Sequence, residues 1–143
     1  MATQLVTNNL HDYLVASSSI AATVGSSNAA RVHVNKIPQE DGRPFIWLQR
    51  SGRNRERLLD GTPVGPIETT YDIECIHTTA GNADGLADDV TEWLEALRPG
   101  STMGSDVIRG SEVSDQSDDY VPRNARDDGL HLSSLRFSVW HTT

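Results

Sequence analysis

A two-layer α+β domain is the fold this sequence predicts: a mostly antiparallel sheet of about five strands with two main helices on one face. Two segments repeat apolar residues at helical spacing, and the segments between and after them alternate or run apolar for the length of a strand. No internal repeat or long linker divides the chain, and 143 residues suit a single domain, 1–143.

The first helix rests on Val6, Leu10, Tyr13 and Leu14, spaced i, i+4, i+7, i+8, which puts them on one face. The small-residue stretch Ala16 to Gly25 carries Ile20 and Val24 four apart, predicting a second, short helical turn ended by Gly25. Arg31 to Ile37 alternates, with Val32 and Val34 on one side, and Pro38 stops it. After the turn Gln39-Glu40-Asp41-Gly42, the run Pro44-Phe45-Ile46-Trp47-Leu48-Gln49 is apolar on both faces, which suits a strand central in the sheet or covered on both sides. Gly, Arg and Pro residues from Ser51 to Pro66 read as a loop. Ile67 to Thr78 alternates most clearly: Ile67, Thr69, Tyr71, Ile73 and Cys75 face the core, and Glu68, Thr70, Asp72 and Glu74 face away.

Asn82 or Asp84 is expected to cap the main helix, whose stripe is Leu86, Val90, Trp93, Leu94 and Leu97. Asp88, Asp89, Glu92 and Glu95 point outward; Asp88 and Asp89 are expected near the positive N-terminal end and Arg98 at the other. Pro99-Gly100 ends the helix. Ser105 to Val113 is a short strand candidate, followed by an acidic, serine-rich stretch to Asp119 read as a flexible loop. Leu130 to His141 closes the fold as a strand whose apolar parity changes midway, as a bulge near Ser133-Ser134 would explain.

Net charge is −8, from 20 acidic and 12 basic residues, so the chain repels phosphate on average and lacks the cationic field of a duplex-gripping module. Eleven of the 12 basic residues are arginine, Lys36 being the exception, and arginine's planar fork suits ion pairs between proteins. Apolar residues make up 36% and mean hydropathy is −0.44, a lean core that predicts help from subunit contacts. Cys75 is the single cysteine, which excludes an intrachain disulfide and a multi-cysteine zinc site. The start Met-Ala-Thr-Gln has no cationic segment before an apolar core, and no run approaches ~18 apolar residues, so neither a signal peptide nor a membrane span is expected.

Chemistry-bearing patterns are sparse. His11, His33, His77, His131 and His141 never pair at i, i+4. Cys75 and His77 share a strand face, yet side chains two apart on a strand stand ~7 Å apart, too far for a thiol–imidazole contact. No nucleophile elbow, phosphate loop or dinucleotide fingerprint occurs, and Asp115-Gln116-Ser117-Asp118-Asp119 lacks the spacing, central glycine and distal glutamate of a calcium loop. No catalytic residue, cofactor or metal is therefore assigned. Between Arg50 and Arg57 stand four arginines in eight residues without interleaved aromatics, a pattern that fits an arm pairing with a neighbour's carboxylates better than one gripping nucleic acid. Arg50, Arg53, Arg55 and Arg57 are expected at a subunit interface.

The order of these pieces resembles the tail-terminator, or tail-completion, family of long-tailed phages and prophages. The carrying residues are Ile20-Ala21-Ala22-Thr23-Val24-Gly25 after a short helix, the strand Pro44 to Gln49, and Tyr71-Asp72-Ile73-Glu74-Cys75 leading into Ala87-Asp88-Asp89-Val90-Thr91-Glu92-Trp93-Leu94. A closing strand Leu135-Arg136-Phe137-Ser138-Val139-Trp140-His141 completes the pattern over nearly the whole chain. The resemblance implies a homo-hexameric ring in the virion neck, without cofactor or catalysis, that caps the head-proximal end of the tail tube. Such a ring ends tube polymerisation and offers a surface to the head–tail connector. Its implied partners are further copies of itself, the tail tube protein, the connector and genomic DNA passing without specific binding; no membrane is involved. The acidic segment Glu112 to Asp128 is longer than a plain hairpin needs. Its Glu112, Asp115, Asp118 and Asp119 either line the DNA channel, where repulsion reaches over ~8 Å, or merely keep an exposed loop soluble. A head–tail connector or stopper of the same neck region and a monomeric, non-catalytic binding module are the alternatives.

Overall fold

In the computed structural model, which describes residues 2–25, 31–34, 44–121 and 130–142, six strands form one sheet in the order β1-β2-β3-β6-β5-β4. The strands are β1 (Val32–Val34), β2 (Phe45–Arg57), β3 (Pro63–His77), β4 (Thr102–Met103), β5 (Asp106–Val121) and β6 (Leu130–Thr142). The helices are α1 (Ala2–Val15), α2 (Ser18–Val24) and α3 (Ala80–Glu95). All neighbouring strands pair antiparallel except β1 with β2, which are parallel. The α+β, mostly antiparallel expectation holds, with six strands rather than five and a third helix where a turn was expected.

The core follows from the alternation. In β3, Ile67, Thr69, Tyr71, Ile73 and Cys75 are buried; Ile46 and Leu48 of β2 stand opposite Cys75 and Ile73, and Leu135, Phe137 and Val139 of β6 stand opposite Ile73, Tyr71 and Thr69. Leu10 and Leu14 of α1, Ile20 and Val24 of α2, and Leu86, Ala87, Val90 and Leu94 of α3 close over them in one cluster. Each fully buried large side chain is worth roughly 1.5–3 kcal/mol of transfer free energy. Ser17 caps α2 by accepting from the Ile20 amide at 3.4 Å, and Gly25 (φ 90°) releases the chain where a residue with a Cβ would be strained.

Trp93 is only half-buried, because it clamps α1 to α3 at the margin of the core. Its ring stacks on Tyr13 at 5.0 Å; its Nε1 donates to the Tyr13 carbonyl and the Tyr13 hydroxyl donates to the Trp93 carbonyl, both at 2.7 Å. This reciprocal pair fixes the angle between the two helices.

Several local expectations are corrected. Thr79, not Asn82 or Asp84, caps α3, its hydroxyl accepting from the Asn82 amide at 3.2 Å. With the helix starting at Ala80, Asp88 and Asp89 lie beyond its first two turns, where the positive N-terminal end no longer reaches them. Arg98 does serve the other end, donating to the Glu95 carbonyl at 2.7 Å. Strand β6 has no bulge against β3; the irregularities lie in β5, between Ile108 and Gly110 and between Ser114 and Ser117. Leu132 accordingly falls on the face that the helices leave uncovered, level with Ile76 and Phe45, which are themselves buried there, and Ser133 is buried on the core side. The acidic stretch is no loop, since β5 continues through it to Val121. Lys36, Pro38, the turn Gln39 to Gly42, and the side chains of Val6 and Leu130 lie outside the described residues.

Candidate assembly interface

The stretch read as a loop from Ser51 to Pro66 is a hairpin arm, with β2 and β3 remaining paired to its end. Arg50, Arg53 and Arg55 stand opposite Tyr71, Thr69 and Ile67, so they lie on the helix-side face of the sheet. A bulge between Arg50 and Gly52 absorbs the odd spacing that would otherwise split them between two faces. All three are exposed, as is Arg57. The sequence thus names the four arginines, and the register brings Arg50, Arg53 and Arg55 onto one face.

At the tip the chain turns over Leu58 to Thr62. The Leu58 amide donates to the Thr62 carbonyl, the Gly61 amide to the Leu58 carbonyl and the Thr62 amide to Asp60 Oδ1, each at 2.9 Å. Hydrogen bonds from the Thr62 amide and hydroxyl hold the Asp60 carboxyl below its ordinary range. Gly61 takes φ 91°, and Arg57 donates to its carbonyl at 3.1 Å. This ordered turn presents Leu58 at 54% and Leu59 at 110% relative exposure, the exposed large apolar residues among those described. Sequence reading missed them because two adjacent leucines in a polar stretch have no periodicity.

The four carboxylates expected along a channel do not share one face. Glu112 stands opposite Ser138 on the uncovered face, exposed. Asp118 stands opposite Ser133 on the helix side, where Ser133 Oγ lies 2.8 Å from Asp118 Oδ1 and 2.6 Å from Asp84 Oδ1. One hydroxyl proton serves two carboxylates there, at the edge of a cleft of about 340 Å³ that Asp88 and Gln116 also line. Asp119 pairs with Leu132 and Asp115 falls within the β5 irregularity; their side chains lie outside the description. The uncovered face also carries Glu68, Thr70, Asp72, Glu74, Arg136 and Trp140, with Arg136 Nε 3.2 Å from Asp72 Oδ1.

Beneath the arm lies a buried polar chain that no sequence motif announced. Asn9 Nδ2 donates to Asp106 Oδ2 at 2.9 Å, Asp106 Oδ1 lies 3.7 Å from His141 Nδ1, and His141 Nε2 lies 2.9 Å from Thr69 Oγ1. Beside it Tyr71 and Thr7 share a hydroxyl bond of 2.8 Å. Burial pushes the Tyr71 phenol up to about 12 and pulls His141 below its ordinary value; Asp106 opposes the shift of His141 and Arg53 reinforces it. Asp106, His141 and Thr69 have the order of a hydrolytic triad, but all three are fully buried, so substrate has no path to them and the set ties α1 to β5, β6 and β3. Gly104 (φ 62°) passes so close to Asn9 that a Cβ would collide with its side chain, which leaves Asn9 room to reach Asp106.

Cys75 is fully buried and its thiol is pushed far up by desolvation, the state of an inert thiol. His77 is half-buried at the strand end, with Nδ1 accepting from the Thr78 amide at 2.8 Å. Among the described residues no group of three or more His, Cys, Asp or Glu side chains is placed to hold a metal, and no helix is long and apolar enough to cross a membrane.

A family model described as tail completion protein gp17 matches residues 8–142. A chain from the virion of a native gene transfer agent particle superposes with a TM-score of 0.56 and 16% identity, covering 93% of this chain and 92% of that one. At that identity the likeness establishes the shared fold. No curated protein sequence matches. With nearly its whole length covered by the family model, the chain belongs to the tail completion protein gp17 family, non-catalytic structural components of the phage virion tail.

Proposed function

We propose that six copies of this chain form a ring on the head-proximal end of the tail tube, ending tube growth and presenting the surface to which the head connector joins. The observation that carries this reading is the projecting arm: an ordered turn holds two leucines in solvent above a face of arginines. A monomer gains nothing from that arrangement, whereas an assembling subunit uses it as an anchor. A closed ring with heterologous contacts can match the tube on one side and refuse another tube ring on the other. The uncovered sheet face, with Glu68, Asp72, Glu74 and Glu112 against Arg136, suits a lumen wall that lets DNA slide. Asp118 is turned from that face toward Ser133 and has no part in the wall.

Removing the gene from a producing phage tests the reading. Overlong tails without heads are expected, with normal length restored when the chain is supplied. Unattached tails of normal length would instead identify a connector or stopper, and headed, normal tails would overturn a neck role altogether.

A further inference from the structure

We propose that successive copies join through their sheet edges: the open edge of β2 in one copy pairs antiparallel with the open edge of β5 in the next. The inference rests on the ring reading above and names the contact that closes it.

Both edges are long and, among the described residues, mostly unpaired, although Gly100 and Ser101 bond the backbone of Ile108. β1 pairs only with Ile46, Trp47 and Leu48 of the 13 residues of β2, and β4 only with Asp106 and Val107 of the 16 residues of β5. Among the described residues no other strand pairs with either edge. An open strand edge offers a row of amides and carbonyls to a partner strand, and natural proteins guard such edges with charge.

Here the guards differ in sign. Gln49 to Arg57 carries four arginines and one glutamate, a net +3, and Glu112 to Asp119 carries four carboxylates and no base, a net −4. Pairing β2 with β2 would set arginine beside arginine, and β5 with β5 would set carboxylate beside carboxylate. Only the mixed pairing attracts, and it is heterologous, the kind of contact that closes a ring. Direction agrees. β2 is antiparallel to β3, β3 to β6 and β6 to β5, so β2 and β5 of one copy run oppositely. Rotation about a ring axis preserves direction, so β2 meets the neighbour's β5 antiparallel, as in the rest of the sheet. At equal height Arg50 lies level with Val113, through Tyr71 and Phe137. Arg53 lies level with Val139 and Asp118 with Ser133, so setting helix-side arginine against helix-side carboxylate requires a stagger of about six residues, of the kind that strand tilt gives a closing sheet.

The test combines charge reversal with cross-linking in the full chain, read by native mass and by rings or necks in micrographs. R53E/R55E alone, and D118R alone on the same helix-side face, are each expected to weaken association about 100-fold or more, and all three together to bring it back within about tenfold. On the wild-type background, N54C is combined in turn with E112C, S114C and S117C, which share its sheet face, and oxidised after assembly. One register is expected to give a ladder of covalently joined copies, Cys75 being buried and out of reach. Rings that persist with no cross-link in any register and no response to the reversals would overturn edge pairing and leave the ring reading standing. A folded R53E/R55E/D118R variant that fails to recover would also count against edge pairing. A chain found monomeric both alone and in the particle would overturn the ring and the inference with it.

Discussion

Along the β2–β3 pair, two regions share the same strands and the same sheet face but differ in side chain. Opposite Cys75 and Ile73 stand Ile46 and Leu48, buried under the helices; opposite Tyr71, Thr69 and Ile67 stand Arg50, Arg53 and Arg55, exposed. Antiparallel pairing continues through both, interrupted only by the register shifts at Arg50/Gly52 and Arg55/Arg57, so the hydrogen bonds of the sheet do not decide where the core ends. Side-chain transfer free energy does: the helices cover one stretch, and the other keeps its charges in water. The first region should govern folding and the second assembly, and substitutions can separate the two.

The largest effect on stability is expected at the covered end. Phe137 is fully buried opposite Tyr71, and Phe137→Ala should cost about 3–5 kcal/mol by chemical denaturation, through lost transfer and the cavity left behind. A cost under ~1 kcal/mol would show that the helices do not seal that face. Trp93→Ala should cost somewhat less, about 2–4 kcal/mol, because the indole is half-buried and acts through its stack on Tyr13 and one donated bond. Trp93→Phe, which keeps a ring to stack, should recover more than half of that loss.

Between the two regions lies the polar chain through His141, and pH reads it. Burial holds His141 below its ordinary 6.5, so the folded state favours the neutral ring. The unfolded chain binds that proton more readily. The contribution of His141 is therefore complete above pH ~6.5 and lost as pH falls through the lower folded value. Denaturation midpoints from pH 8 down to 5 should decline from about pH 6.5, and His141→Gln should flatten that decline. A wild-type profile flat through this range would mean that water reaches the ring.

How much of this was legible follows from what each element depends on. β3 and α3 were plain because their pattern is set by one buried face, as Ile67 to Cys75 and Leu86 to Leu97 show. The far half of β2 and of β5 looked like loop because an exposed strand held by its backbone to one neighbour needs no apolar alternation. Arg53 and Asp118 carry no sign that their backbones are paired. The β5 irregularity was misplaced into β6 because Leu132 was counted as core, although it belongs to the uncovered face. Of the candidate interface, the arginines were readable as a charge run. The tip leucines and the Asp106–His141–Thr69 chain were not, since residues up to 72 apart meet there only once the sheet is built.

The smallest effect on folding is expected at the arm, and there it sharpens the contrast most. R53E/R55E/R57E replaces three exposed arginines, and exposed charges away from buried partners usually change stability by under about 0.5 kcal/mol. Its far-ultraviolet circular dichroism and denaturation midpoint at pH 7.5 should match the wild type. Tail capping, measured as tail length in micrographs of the same variant, should be lost, because like charges set across an interface cost several kcal/mol. One residue gives an internal control. The Arg53 guanidinium helps to hold His141 low, so Arg53→Glu removes one proton-repelling charge and adds one that attracts a proton. The folded-state pKa of His141 should then rise toward its ordinary value, and the loss of stability on acidification should become smaller than in the wild type. The shift should shrink with added salt, since the arm is exposed to it. An arm variant that unfolds, or that caps tails normally, would show that the charged end of the sheet is not separate from the packed end in the way its residues indicate.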